Sequence, residues 1–230
     1  MTAVLIAVPT GRSGWAPDFT MSLLELLTRP MAADLGLPEE PILRWSYHRS
    51  SNVCQNRHNL VRGAQKLGVS HILWLDDDMT FPADTLVRLL KHDRDIVTAN
   101  CTTRAVPIVP TAIKRNQRIP SIGRRGLEII DQVGLAVVLT RLEVFENVAL
   151  PWFLFVWDPE FPDTYMTEDC YFFRKARAAG LDVWVDHDVS QEIGHIGELE
   201  FSHGMIDVKE LAAFNRDALL GRREKMRLVE

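Results

Sequence analysis

The chain has 230 residues, 47% hydrophobic and 25% charged, with a formal net charge of -5. Such a chain can bury a sizeable core, and its acidic balance argues against wholesale coating of nucleic acid, though not against a local basic patch. The longest apolar stretch, Ala149 to Trp157, is too short to span a bilayer and contains Pro151.

In chain order, Ala3–Val8 reads as a first strand closed by Pro9-Thr10-Gly11. No basic region precedes it, so it does not read as a signal peptide. A loop with Gly14 and Pro17 leads into a helix over Thr20–Leu27 that ends before Pro30. Ile42–Tyr47 is expected as a second strand. Leu60, Val61, Ala64 and Leu67 fall at helical spacing, which predicts a helix over Gln55–Leu67 stopped by Gly68. A strand at 71–75, a helix over Pro82–His92 and a strand over Asp95–Ala99 follow. This alternation predicts a mixed, mostly parallel α/β sheet flanked by helices.

The second half is less regular. Short extended pieces run from Val106 to Thr140 and end in the apolar Gly134–Leu139, before a short helix over Leu142–Asn147. Pro151–Tyr165, aromatic and proline-rich without a period, reads as a loop over the site. Thr167 is a good N-cap for a helix through Ala179 to Gly180. Val183–Val185 and Val189–Ile193 are expected as strands, and Asp207–Glu230 as mainly helical. With no repeat or linker, a single domain is expected, residues 206–230 forming a helical tail on it or extending it. Cys54, Cys101 and Cys170 are odd in number and widely spaced, which fits reduced thiols in a cytoplasmic protein.

Four constellations could carry chemistry. The apolar run Ile72–Leu75 ends in Asp76-Asp77-Asp78, at the strand end where open α/β sheets place ligands. Asp76 and Asp78 point to one side of an extended backbone and suit Mg²⁺ or Mn²⁺, hence a diphosphate; the alternative is a solvated acidic turn before the next helix. Glu168-Asp169 reads either as helix-capping charge or as a general base in a cleft. His195, between Gly194 and Gly197, reads either as a turn histidine or as a metal ligand, with His187 and His203 as competitors. Arg57, beside Asn59 at a helix start, reads as a phosphate partner or a surface arginine. In addition, Lys114, Arg115, Arg118, Arg124 and Arg125 lie in a segment with no acidic residue, either an anion-contacting lid or a solvated edge.

The order of these pieces resembles the GT-A glycosyltransferases, in particular the family 2-like group with many bacteriophage members. The likeness is carried by Gln55–Val61, Ile72–Met79 with Phe81-Pro82, Val133–Leu139, Pro151-Trp152-Phe153, Glu168-Asp169 and Gly194–Gly197. It implies a GT-A (Rossmann-like) domain over residues 1–205 and metal-dependent transfer of a hexosyl or pentosyl group from a nucleotide-diphosphate sugar, foremost a UDP-sugar, to an acceptor hydroxyl. By resemblance, Asp76, Asp78 and His195 hold Mn²⁺ or Mg²⁺. Pro9, Thr10, Gly11, Arg57, Asp76 and Asp77 meet the donor, and Asp169, with Glu168, provides the base. A phage-like member would work in the host cytoplasm, and a hydroxylated DNA base is then a conceivable acceptor, with Lys114–Arg125 and the basic residues of Arg222–Arg227 on phosphates. The competing readings are a nucleotidyltransferase, echoed faintly in Pro9–Gly14, and an inactive nucleotide-sugar-binding domain.

Overall fold

Seven strands form the central sheet: β1 (Ala3–Thr10), β2 (Ile42–Arg49), β3 (His71–Leu75), β4 (Ile96–Ala99), β5 (Leu127–Ile130), β6 (Val137–Arg141) and β7 (Val183–Asp186). Their spatial order is β2-β1-β3-β6-β4-β7-β5. β1 runs parallel to β2 and β3, and β7 parallel to β4. β6 runs against β3 and β4, and β5 against β7. The sheet is therefore mixed and mostly parallel, as the strand-helix alternation implies. The computed structural model describes residues 2–158, 164–197 and 200–227, the side chains of 200, 201 and 219–227 excepted. Part of the expected loop (159–163), the end of the expected tail (228–230) and the side chains of Arg222–Arg227 thus lie outside the described residues.

The sheet is covered on both faces, which is why β1 and β3 are continuous apolar runs rather than alternating ones. Successive residues go to opposite sides. Leu5, Ala7, Ile72 and Trp74 pack with Leu60, Val61 and Ala64 of α2 (Val53–Leu67) and with Phe172, Phe173 and Ala176 of the later helix Glu168–Ala178. Val4, Ile6, Val8, Leu73 and Leu75 pack with Phe19, Leu23 and Leu26 of α1 (Pro17–Thr28) and with Leu86, Val87 and Leu89 of α3 (Thr85–Lys91). Each such large side chain removed from water contributes about 1.5–3 kcal/mol.

The helix ends follow local chemistry. α1 starts at Pro17, three residues before the expected Thr20, because proline suits the first helical turn. α2 starts at Val53 because the Asn52 side chain accepts the Gln55 N–H at 3.1 Å, and it stops at Gly68, whose φ is 61°. The helix Glu168–Ala178 is α4, and α5 spans Val208–Arg227. α5 lies on the hairpin Ile113–Lys114/Gln117–Arg118: Asn215 accepts the Arg118 N–H at 3.3 Å and donates to the Arg118 carbonyl at 3.2 Å.

One expected strand is corrected. Val189–Ile193 is not extended, because the Asp186 carboxylate accepts the N–H groups of Asp188 and Val189 at 2.8 and 2.9 Å and winds His187–Ser190 into a helical turn. Extended backbone resumes at Gly194–Ile196, which joins Met79–Thr80 and Glu200–Ser202 in a small antiparallel sheet. That sheet sets His195 opposite Met79, next to the aspartates. Among the described residues no helix is long and apolar enough to cross a membrane.

Candidate functional site

The three aspartates leave the end of β3 in three directions. Asp77 is buried, and its carboxylate accepts the Thr10 hydroxyl, so it ties the end of β1 to the end of β3. Thr10 Oγ1 also accepts the Arg12 N–H at 3.1 Å, and Asn56 donates to the Thr10 carbonyl at 3.1 Å. Pro9 and Thr10 are buried, whereas Gly11 is exposed. Of this turn, therefore, the chain from Gly11 onward faces outward.

Asp76 faces inward toward Arg57, whose Nη2 lies 3.0 Å from Asp76 Oδ1. Arg57 Nε lies 3.3 Å from Glu168 Oε1, and Nη1 donates to the Leu135 carbonyl at 3.3 Å. Only 3% of the arginine side chain is exposed, so its planar fork joins β3, α4 and the β6 approach instead of opening onto a cleft. Burial opposes the charge on Arg57, but Asp76 and Glu168 together raise its pKa. The Glu168 carboxyl is pushed up by burial, with Asp169 adding and Arg57 opposing. Burial also pushes the Asp76 carboxyl up, with Asp78 and Glu168 adding and Arg57 opposing.

Asp78 is itself buried, only 7% exposed, beneath two arginines that are open to water. Its Oδ2 lies 2.8 Å from Arg12 Nη2 and 2.8 Å from Arg104 Nη1, and its Oδ1 lies 3.4 Å from His195 Nε2. His195 Nδ1 sits 2.6 Å from the Thr102 carbonyl, which can only accept, so that nitrogen carries the proton. Nε2 is then the nitrogen turned toward the carboxylate. Burial works against ionisation of Asp78, but His195, Arg104 and Arg12 outweigh it and hold the carboxyl below its ordinary value. Asp78 and His195 fit a divalent cation: a carboxylate oxygen and an imidazole nitrogen side by side, the imidazole steered by a carbonyl behind it. The expected set of three is not assembled. No group of three or more histidine, cysteine, aspartate or glutamate side chains suited to a metal occurs among the described residues, since Asp76 is turned to Arg57.

Glu168 and Asp169 open α4 and divide in the same way. Glu168 is buried on Arg57. Asp169 is partly exposed and its Oδ1 accepts the Thr167 hydroxyl and, at 2.7 Å, the Cys170 N–H. Arg118, carried by the hairpin under α5, lies close enough for Asp169 to act on its charge.

Several residues that the sequence did not single out belong here. Arg12 and Arg104 reach Asp78 across long stretches of chain, and only Arg12, in the Pro9–Gly14 turn, carried a local hint. A cavity of about 200 Å³ beside Asp77 and Asp78 is lined by Thr10, Arg12, Trp15, Tyr47 and Arg49. Trp45 and Tyr47 stack at 6.2 Å on the outer strand, where their two-residue spacing was a readable signal of a shared face. The basic segment is largely engaged with its neighbours. Lys114 and Arg124 both bind Glu128, at 2.7 and 2.5 Å, Arg125 binds Asp188 at 2.8 Å, and Arg118 donates to the Pro110 carbonyl at 2.6 Å. The competing histidines are also placed: His187 lies between Ser121 and Glu128, and His203 is buried.

No protein-family model matches the chain, and no curated protein matches it by sequence. Among solved structures, A197 from STIV superposes with a TM-score of 0.55 at 15% identity, over 89% of this chain and 92% of that one. At that identity the likeness is one of fold. Looser superpositions are found with the catalytic domain of Drosophila beta1,4-galactosyltransferase 7 in complex with xylobiose (TM-score 0.48, 14% identity, 86% of this chain and 71% of that one). Another is with S. aureus TarS 1-349 in complex with UDP (TM-score 0.45, 14% identity, 82% of this chain). The chain spans 58% of that TarS fragment.

Proposed function

We propose that this protein is a GT-A-type glycosyltransferase that moves a sugar from a nucleoside diphosphate sugar to an acceptor hydroxyl. The observation that carries the reading is the Asp78–His195 pair beneath two half-exposed arginines at the end of β3, where Arg57 also ties Asp76 to the start of α4 that bears Asp169. The order of motifs along the chain adds to it. The cavity framed by Trp15, Tyr47 and Arg49 offers aromatic faces and a guanidinium group to a nucleoside base, with uridine as the first candidate. From there a diphosphate reaches Arg12 and Arg104, which exchange Asp78 for phosphate oxygens.

Asp78 and His195 would hold Mn²⁺ or Mg²⁺. Such an ion supplies Lewis-acid neutralisation of the charge that builds on the departing diphosphate. Arg12 and Arg104 supply further fixed positive charge at the same place. Asp169 takes the proton from the acceptor hydroxyl. Thr167 and the Cys170 N–H hold Oδ1, so Oδ2 is the oxygen that meets that proton. Glu168 and Asp76, clamped by Arg57, keep the ends of α4 and β3 in fixed relation and are positioning residues. An aspartate acting as base on the acceptor implies inversion at the anomeric carbon.

Thermal unfolding with nucleoside diphosphates, each with and without Mn²⁺, tests the donor site. Uridine diphosphate with Mn²⁺ is expected to raise the Tm, by about 2.7 kcal/mol of added stability at a hundredfold excess over Kd. The rise should need the metal and disappear in Asp78→Asn. No response to any nucleotide under any metal would overturn the reading.

A further inference from the structure

A second cavity, of about 310 Å³, is bordered by Thr167 and Cys170, the two residues that donate to Asp169 Oδ1. Its floor is one face of α4: Cys170, Arg174 and Arg177 recur at helical spacing. Its walls bring Asp158 and Tyr165 from one side and Asn116, Asp131 and Gln132 from the other. Arg177 lies 3.0 Å from Asp131, and Arg174 lies 3.8 Å from Asp158. We propose that this cavity is the acceptor subsite and that it takes a neutral saccharide; this rests on the transferase reading above.

Among the described residues the walls hold two carboxylates and two guanidinium groups, which balance. A polyanion such as DNA would call for surplus positive charge, and the nearby basic segment supplies little: Lys114, Arg124 and Arg125 are paired with Glu128 and Asp188, and Arg118 is turned to the Pro110 carbonyl and the Phe214 ring, with Asp169 near its charge. A balanced set of donors and acceptors suits a polyol instead. Ring hydroxyls donate to carboxylates and accept from guanidinium and amide N–H groups, so a diol can insert between the members of each pair.

The rim adds an aromatic surface. Tyr165 is 62% exposed and meets Trp157, 52% exposed, edge to face at 5.0 Å. Two open rings beside a polar cavity can receive the apolar face of a sugar while its hydroxyls turn inward. The volume is at the lower end for small-ligand pockets, enough for one or two sugar units. Thr167 joins the parts: it lines the cavity and donates to Asp169, so a hydroxyl passing Thr167 arrives at the base. Cys170 takes no chemical part, since burial pushes its thiol up to about 11 and keeps it neutral.

Saturation-transfer NMR on the whole chain tests this without donor, using methyl glycosides of glucose, galactose, xylose and N-acetylglucosamine, and a short DNA duplex. At least one glycoside should receive saturation, strongest on one ring face. Tyr165→Ala and Arg174→Met should each weaken it about tenfold, as expected for loss of one stacking or one charge-assisted contact. No transfer to any glycoside, transfer undiminished in both variants, or binding of the duplex in their place would overturn the proposal. The uridine diphosphate melting shift, measured on the same samples, judges the donor site separately. Glycoside binding without a nucleotide response keeps the saccharide pocket and sinks the transferase reading; the reverse result sinks the pocket alone.

Discussion

Asp76 and Asp78 are two residues apart and meet opposite fates. Asp76 shares one deeply buried arginine with Glu168, two acids on one cation, in a cluster that ties β3 to α4. Asp78 is held by two arginines with side chains 45% and 39% exposed, the first of them also 3.9 Å from Asp77, and has a histidine beside it. A ligand could not displace Arg57 without leaving carboxylates unpaired in the interior. Arg12 and Arg104 can return to water at little cost, and the buried Asp78 they leave would be re-paired by an incoming cation. The inner cluster is thus a frame, and the outer one is exchangeable.

Removing Arg57 should show the larger difference. Arg57→Met is expected to cost about 3–5 kcal/mol in urea unfolding, as for breaking a buried ion pair, and Glu168→Gln in the same chain should recover part of it. A loss under about 1 kcal/mol would mean that the inner cluster is no frame. Asp78→Asn should cost less than Arg57→Met, about 1–3 kcal/mol of unfolding free energy in urea, while abolishing the metal-dependent nucleotide shift. Loss of folding in that variant would erase the distinction between the clusters.

Arg12→Ala and Arg104→Ala should each raise the KM for donor about tenfold with nearly unchanged stability. An unchanged KM would leave the two arginines as mere partners of Asp78. A change confined to stability is expected far from both clusters, at Glu128. Burial opposes its ionisation, but Lys114, His187 and Arg124 hold its carboxyl down at about 2. A depressed folded pKa gives stability that is complete above the ordinary range near 4.5 and is lost as pH falls toward 2. Glu128→Gln should therefore flatten the acid branch of the stability curve in that window and leave nucleotide binding intact.

The frame of this fold was legible where one short segment decides the outcome. Ile72–Leu75 before three aspartates could only be a buried strand ending in charge, and Gly68 could only stop a helix. Local capping was harder to read: Asn52 moved the start of α2, and Asp186 turned the β-branched Val189 into a helical turn. The site was legible as residue types and not as partnerships. Arg57 and Glu168 are 111 residues apart and Arg12 and Asp78 66, so no spacing rule connects them. Whether Arg57 is a phosphate ligand or an internal clamp depends on which carboxylates the fold brings to it. The cavity along α4 escaped notice for the same reason, its walls coming from four separate segments.

The placement of β6 bears on how the molecule is made. Residues 137–141 come late in the chain yet lie between β3 and β4, which have no other shared neighbour. During synthesis the first hundred residues can build the half-sheet of β2, β1 and β3, whose last edge stays unpaired just beside the aspartates. At roughly 5–20 residues per second that edge waits several seconds for its partner. A nascent chain halted before residue 137 would carry Asp76, Asp77 and Asp78 and still have no platform to hold them, and its exposed β3 edge would be the place where two such chains first adhere.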